Sequence, residues 1–186
     1  MDSKTIDQLK AEFKRLGYQW PNFHLIGIRS NADVPDAYDD DFYLINGTDV
    51  HKYTGTTNPG AYWLQNFFNP AFGGTALLAP GQYVDTWQLG VIYGEEGFRQ
   101  SKPVKIFRDS NKNLKSEEMG IPQIGMYSIH IHKMFKNTKS LKIWNWSAGC
   151  QGLNDPTHWN DLMDRFKKAN LPARSEEHTS ELQSQR

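Results

Sequence analysis

A chain of 186 residues is long enough for one domain with a proper core and short for two. Hydrophobic residues make up 38% of it, with ten Phe, eight Tyr and six Trp, which argues against a disordered chain and for aromatic packing. The formal net charge is zero, so neither a nucleic-acid groove nor an anionic membrane surface is implied, and no apolar run reaches the length of a membrane span.

The amino terminus is charged and amphipathic and lacks the apolar stretch of a signal peptide. Asp2 or Ser3 is placed to cap a first helix whose Ile6, Leu9, Phe13 and Leu16 fall on one face, and Gly17 to end it. This helix and its linker, residues 1–22, form a packing element at the edge of a single domain over 23–173. Phe23 to Ile28 reads as a short apolar strand, with His24 a structural residue rather than a ligand. Asp36 to Asp41 holds four acidic residues and reads as a solvated acidic loop in preference to a metal site. Asn46-Gly47 between 41–45 and 48–54 is a hairpin signal, and Thr56 to Gly60 is a turn. Tyr62, Trp63, Phe67, Phe68 and Phe72 follow in a loop rich in Asn, Pro and Gly. Such a loop either packs over the sheet or walls a groove.

Thr75 to Ala79 and Gln82 to Trp87 are expected to form a second hairpin through a type II turn at Pro80-Gly81, with Leu89 to Tyr93 continuing the sheet. Val104 to Phe107 is a strand running into Arg108 and Asp109. The Asp109-x-Asn-x-Asn113 spacing resembles the opening of a calcium loop, but Leu114 and Gly120 stand where that loop needs its Gly and its closing Glu. A turn whose side chains cap their own backbone is the expectation. Met126 to His132 alternates apolar and polar residues, predicting a half-buried strand with His130 and His132 on one face. No carboxylate pattern completes a metal site around these two histidines, so no metal and no cofactor is assigned. Asp155 and Pro156 open a last helix, whose Trp159, Leu162, Met163 and Phe166 form a core stripe. The elements add up to a mainly β domain with flanking helices. From Arg174 to Ser184 the chain reads as the translation of a sequencing-adapter sequence, so 174–186 is expected to be an artefactual, disordered tail outside the domain.

Cys150 is the only cysteine, which rules out an internal disulfide framework. A lone cysteine is usually a small buried hydrophobe. Next to Gly149, however, the chain can turn sharply and lift the thiol out of the core, and a thiol near an imidazole is the minimum kit for nucleophilic catalysis.

His132 followed eighteen positions later by Cys150, within Ser147-Ala-Gly-Cys150, resembles the signature of the L,D-transpeptidase catalytic-domain family, whose members act on peptidoglycan. More narrowly, Tyr127-Ser-Ile-His-Ile-His132 and Trp146-Ser-Ala-Gly-Cys-Gln151 resemble its phage-associated and uncharacterised branch, which carries an Ile-x-Ile-His strand and Trp-Ser-x-Gly-Cys-Gln. The resemblance extends over about residues 23 to 155, with its sharp motifs confined to 129–151. It implies a mixed β-sandwich with Cys and His at the mouth of a groove. It also implies a cysteine acyltransferase: Cys150 attacks the carbonyl of a peptidoglycan stem peptide to form a thioester, and His132 serves as base and then acid. Backbone N–H groups at Gly149 and Cys150 would hold the oxyanion, with Ser147 and Lys133 shaping the site. His130, Gln151 and Trp146 would contact substrate or support the pair, and Arg108 and Asp109 match an Arg-Asp strand end of the branch and so are site-adjacent.

Two departures stand out. Lys133 follows the histidine where the family has Gly, keeping the carbonyl that orients the imidazole. Gly152 replaces the family's Arg two positions after the cysteine, leaving Gln151 to offer an uncharged amide. Peptidoglycan stem peptides are the implied partner. Synthesised in the cytoplasm without a signal peptide, such an enzyme would reach the cell wall through phage lysis or virion delivery. Two alternatives stay open: a wall-degrading peptidase or carboxypeptidase using the same pair, and a non-enzymatic virion or wall-binding module whose Cys150 is core.

Overall fold

In the computed structural model the chain is described over residues 3–31, 34–135, 137–170 and 181–185, with 170 and 181–185 as backbone only. Its strands, in chain order, are β1 (Phe23–Ile28), β2 (Asp40–Asn46), β3 (Asp49–Thr56), β4 (Thr75–Leu78), β5 (Gly81–Tyr83), β6 (Trp87–Ile92), β7 (Glu95–Gln100), β8 (Val104–Asp109), β9 (Gln123–Gly125), β10 (Ile131–Lys133), β11 (Gln151–Leu153) and β12 (Glu181–Gln185). The helices are α1 (Ile6–Leu16), the one-turn α2 (Ala61–Gln65) and α3 (Pro156–Asn170). The protein is mainly β.

Nine strands form one sheet in the order β5-β12-β1-β2-β3-β11-β10-β7-β6, and β4-β8-β9 form a second. The large sheet is mixed, since β1 with β12 and β10 with β11 are parallel and the other pairs antiparallel. Leu25, Phe42 and Leu44 from the large sheet, Leu78 and Ile106 from the small one, and Trp159, Leu162 and Met163 of α3 share one core. The alternate residues Ile26, Ile28, Tyr43 and Ile45 point to the opposite face, where Leu9 and Phe13 of α1 cover them. β1 and β2 are therefore buried on both faces, and their sequences are near-continuous apolar runs rather than alternating ones.

The cap of α1 is Thr5, not Ser3. Its hydroxyl accepts the Gln8 N–H while the Gln8 side chain accepts the Thr5 N–H, a reciprocal pair worth about 1 kcal/mol, and Asp2 lies outside the described residues. Gly17 ends the helix at φ +72°. His24 is wholly buried, donates Nδ1–H to the Pro21 carbonyl at 2.9 Å, and is pushed down to about 4 by desolvation. The β2–β3 hairpin forms one residue later than Asn46-Gly47 suggests: Asn46 pairs with Asp49, and Gly47 takes the first loop position at φ +62°.

Three expectations are overturned. The second hairpin does not form: β4 pairs with β8 in the small sheet, β5 with β12 in the large one, and Gly81 lacks the positive φ a type II turn demands. Pro80-Gly81 is thus where the chain changes sheets. The acidic loop is not solvated. Asp40 is fully buried and accepts from the Ser30 N–H at 2.7 Å, the Thr57 N–H at 2.5 Å and the Thr57 hydroxyl at 2.7 Å, while Asp36 takes the Ala61 and Trp144 N–H groups. These carboxylates satisfy loop backbone that has no ladder partner. Lastly, Glu181–Gln185, expected in a disordered tail, adds to β1 in parallel register, with Leu25 opposite Leu182. Edge addition is driven by backbone hydrogen bonds and asks little of the side chains, whatever their origin. Residues 174–180 and 186 lie outside the described residues.

Gly152 and Gly55 set how closely the strands beneath the site approach. A Cβ at Gly152 would strike the His132 carbonyl oxygen and Met134 Cε, and one at Gly55 the Gly152 carbonyl. We expect Gly152→Ala to destabilise the fold by about 3 kcal/mol or more through overpacking, read as a lowered urea midpoint. A change under about 0.5 kcal/mol would contradict this packing.

Candidate active site

The parallel pairing of β10 with β11 sets His132 opposite Gly152 and leaves Cys150 at the entrance to β11. The Gln151 N–H donates to the His130 carbonyl at 2.8 Å and locks the register. Only Ile131–Lys133 is strand. Residues 126–130, expected to belong to it, form an irregular loop with Ser128 in the left-handed region at φ +57°. Buried Gln100 holds that loop. Its side-chain oxygen accepts from the Tyr127 and Ile129 N–H groups at 3.1 and 2.9 Å, its amide donates to the Gly125 carbonyl at 3.1 Å, and its own N–H donates to His130 Nδ1 at 3.1 Å. Side-chain amides replace the ladder here, so the alternating pattern of 126–132 does not produce a long strand.

Cys150 is 8% exposed. Its sulfur accepts the His130 N–H at 3.4 Å and points its own proton at the Ser128 carbonyl, 3.5 Å away. Burial pushes the thiol up to about 11, against the opposing pull of the His130 N–H, so the resting group is a neutral thiol. His132 is 5% exposed, with Nδ1 2.8 Å from the Lys133 carbonyl. A carbonyl only accepts, so Nδ1 carries the proton and Nε2 the lone pair. That Nε2 is buried and has no partner among the described residues. His130 is arranged the other way: its Nδ1 accepts from Gln100, so its neutral ring keeps the proton on Nε2. Burial lowers the pKa of both imidazoles, and both are neutral at pH 7.

Cys150, His130 and His132 open onto one cavity of about 1290 Å³. Trp63, Phe68 and Phe72 of the aromatic loop wall it, so that loop lines a groove. Trp146 is also in the wall, tilted against Phe135 with ring centres 4.7 Å apart. Lys133 borders the cavity and pairs with Glu95 at 2.9 Å. Ser147 is fully buried and organises the turn, its hydroxyl donating to the Cys150 carbonyl at 2.7 Å and accepting the Gly149 N–H at 3.1 Å. Gly149 has φ +126°, and a Cβ there would lie 2.5 Å from the Ala76 carbonyl. Its N–H, expected to serve an oxyanion, is already committed to Ser147.

Gln151 is corrected too. It is 1% exposed and its amide donates to the Gly149 and Thr57 carbonyls, away from the cavity. Neighbouring strand residues face opposite ways, which separates Arg108 from Asp109. Arg108 lines the cavity, whereas Asp109 is wholly buried and accepts the Glu117 N–H at 2.8 Å. Beyond it, Asn111 and Asn113 accept from the Asn113 and Lys115 N–H groups at 3.1 and 2.9 Å, a self-capping turn.

Gln100 and Tyr93 escape the sequence reading. Tyr93-Gly94 is the two-residue loop between β6 and β7, with φ +53° and +82°, and the tyrosine ring stands edge-on to His132 with centres 5.9 Å apart. A bulky aromatic in the left-handed region is strained, and such strain gathers at functional sites. A Tyr-Gly between two strand-like runs, where Asn-Gly is the easy choice, is the signal for it. No protein-family model matches this chain, and no curated protein matches it.

Two measurements follow from this geometry. Thiolate absorbance should titrate with a midpoint near 11. Between the ordinary thiol value near 9 and that midpoint the folded state keeps a proton that the unfolded chain has lost, so stability should fall as pH rises through this window. Cys150→Ser should lack that component; a native thiol titrating below 9 would contradict the buried setting. Tyr93→Asn should raise stability by about 0.5–1 kcal/mol by relieving the left-handed tyrosine, and should speed alkylation of Cys150 by removing a ring from the wall of its cavity. Slower alkylation in that variant would show that the ring does not cover it.

Proposed function

We propose that this chain is an L,D-transpeptidase-like cysteine acyltransferase acting on peptidoglycan stem peptides, built on that family's mixed β-sandwich. The observation that carries the reading is the opposite tautomer of the two histidines. His132, held through Nδ1, keeps an unpartnered lone pair on its buried Nε2 and lines the cavity that Cys150 also borders, whereas the remaining ring nitrogen of His130 carries its proton. A buried thiol raised to about 11 is also what an inert core cysteine has. The large cavity and the unpartnered basic nitrogen are what an inert cysteine would not require.

The pair works as neutral thiol and neutral base, not as a preformed ion pair. As Sγ bonds to the donor carbonyl carbon, the thiol proton passes to His132 Nε2 and the carbonyl oxygen takes the negative charge. The Cys150 N–H receives that oxygen, since the Gly149 N–H serves Ser147; one such donor is worth about 3–4 kcal/mol. Collapse breaks the C–N bond, His132 returns its proton to the leaving amine, and a thioester remains. An incoming amine then loses its proton to His132, attacks the thioester and leaves as a cross-linked product with the thiol restored. Water in the same place gives hydrolysis. A phage lysis system or virion would bring the enzyme to its substrate.

Purified sacculi incubated with the protein should yield new cross-linked muropeptide dimers by mass spectrometry, and the intact enzyme should carry an acyl adduct on Cys150. Shortened stems without dimers would assign the hydrolase instead. Cys150→Ala should abolish the reaction and His132→Gln should slow it about 10²–10⁴-fold, while His130→Gln, which keeps an acceptor for Gln100, stays within about tenfold. No adduct and no altered muropeptide would leave a wall-binding module.

A further inference from the structure

The same cavity holds a cation without a counter-ion. Arg108, half-buried at the end of β8, lies between two rings, its guanidinium carbon 5.2 Å from the centre of Phe72 and 5.1 Å from that of Tyr127. Its Nε donates to the Gln123 side-chain oxygen and one Nη to the Gly74 carbonyl, each at 3.3 Å. Both acceptors are neutral, and no carboxylate bonds Arg108 among the described residues. The other charges do not balance it. Glu95 is the acid in the lining and is paired with Lys133, while Arg99 adds a further positive charge.

A guanidinium has five N–H donors in a rigid fork, and here the second Nη group is unused. Keeping a partly desolvated cation unpaired is costly, and burial already weakens its hold on the proton. Two rings and two hydrogen bonds fix the plane of the fork before any ligand arrives, so little side-chain entropy is lost on binding. Tyr127 precedes Ser128, whose carbonyl accepts the thiol proton, so the cation and the nucleophile stand along one wall.

We infer that Arg108 is a carboxylate-binding subsite, and that the cavity takes an anionic peptide whose carboxylate docks on Arg108 while an acyl carbonyl reaches Cys150. The second half rests on the proposed acyl transfer; the first does not.

The test is binding, with full-length Cys150→Ala protein and calorimetry. A synthetic stem tetrapeptide with free carboxylates is compared with the same peptide fully amidated. The acid form should bind about tenfold tighter or more, and raised salt should narrow the difference. Adding Arg108→Gln should close the gap, and adding Arg108→Lys, which keeps the charge but not the fork, should reduce it at least about threefold. Equal affinities, failure of both peptides to bind, or a gap that survives Arg108→Gln would each overturn the subsite. If Arg108→Gln does not fold, the lysine variant decides, and an undiminished gap overturns it. Loss of the muropeptide reaction with the carboxylate gap intact would retire the acyl transfer and leave the subsite standing.

Discussion

The site depends on three residues of backbone pairing. β10 and β11 run parallel, and that register brings the chain before Cys150 against the chain before His132. Parallel neighbours need a crossover between them, and the residues between β10 and β11 supply it, carrying Asn145 and Trp146 past the cavity. Glycine at 152 is what the pairing tolerates, because the His132 carbonyl and Met134 fill the space a side chain would use. The absence of a charged side chain just after the cysteine therefore has a packing cause. Whatever cation the site employs must come from another strand.

The electrostatics of the site have the same origin. Cys150 and His132 are both desolvated, and burial disfavours the charged form of each, so both rest neutral. The site borders the aromatic-walled cavity, yet its thiol and its imidazole are almost wholly buried. Its orientation is set from outside. The Lys133 carbonyl fixes one ring and the Gln100 N–H the other, so two histidines two residues apart present opposite nitrogens. Backbone contacts, rather than ring identity, decide which nitrogen of each keeps its lone pair.

The remainder of the fold shields and stiffens this arrangement. α1 covers one face of β1 and β2, α3 and the small sheet the other, and the carboxylates of half-buried Asp36 and buried Asp40 tie down loops that lack ladder partners. Asp36 holds the Ala61 and Trp144 N–H groups together, so one carboxylate joins the aromatic loop to the segment that leads into Cys150.

Local chemistry was legible in the amino-acid order. The apolar face and Gly17 stop of α1, the β1 run, the Asn46-Gly47 hairpin and the stripe of α3 rest on neighbours within a few residues, and the structure has each of them with shifts of a residue or so. The thiol and its two candidate histidines were likewise visible as residues. Tertiary structure alone decided what depends on distant partners. The β4–β8 pairing, between strands far apart in the chain, stands in place of a local hairpin, and acidic residues that look solvated became ties because loop N–H groups needed acceptors. Which nitrogen of His130 keeps a lone pair turned on the Gln100 N–H from another strand, as the contact of Tyr93 with His132 turned on a hairpin tip. Sequence determines which groups are present and how each short stretch bends; which nitrogen is left without a partner is settled only once separate strands lie side by side.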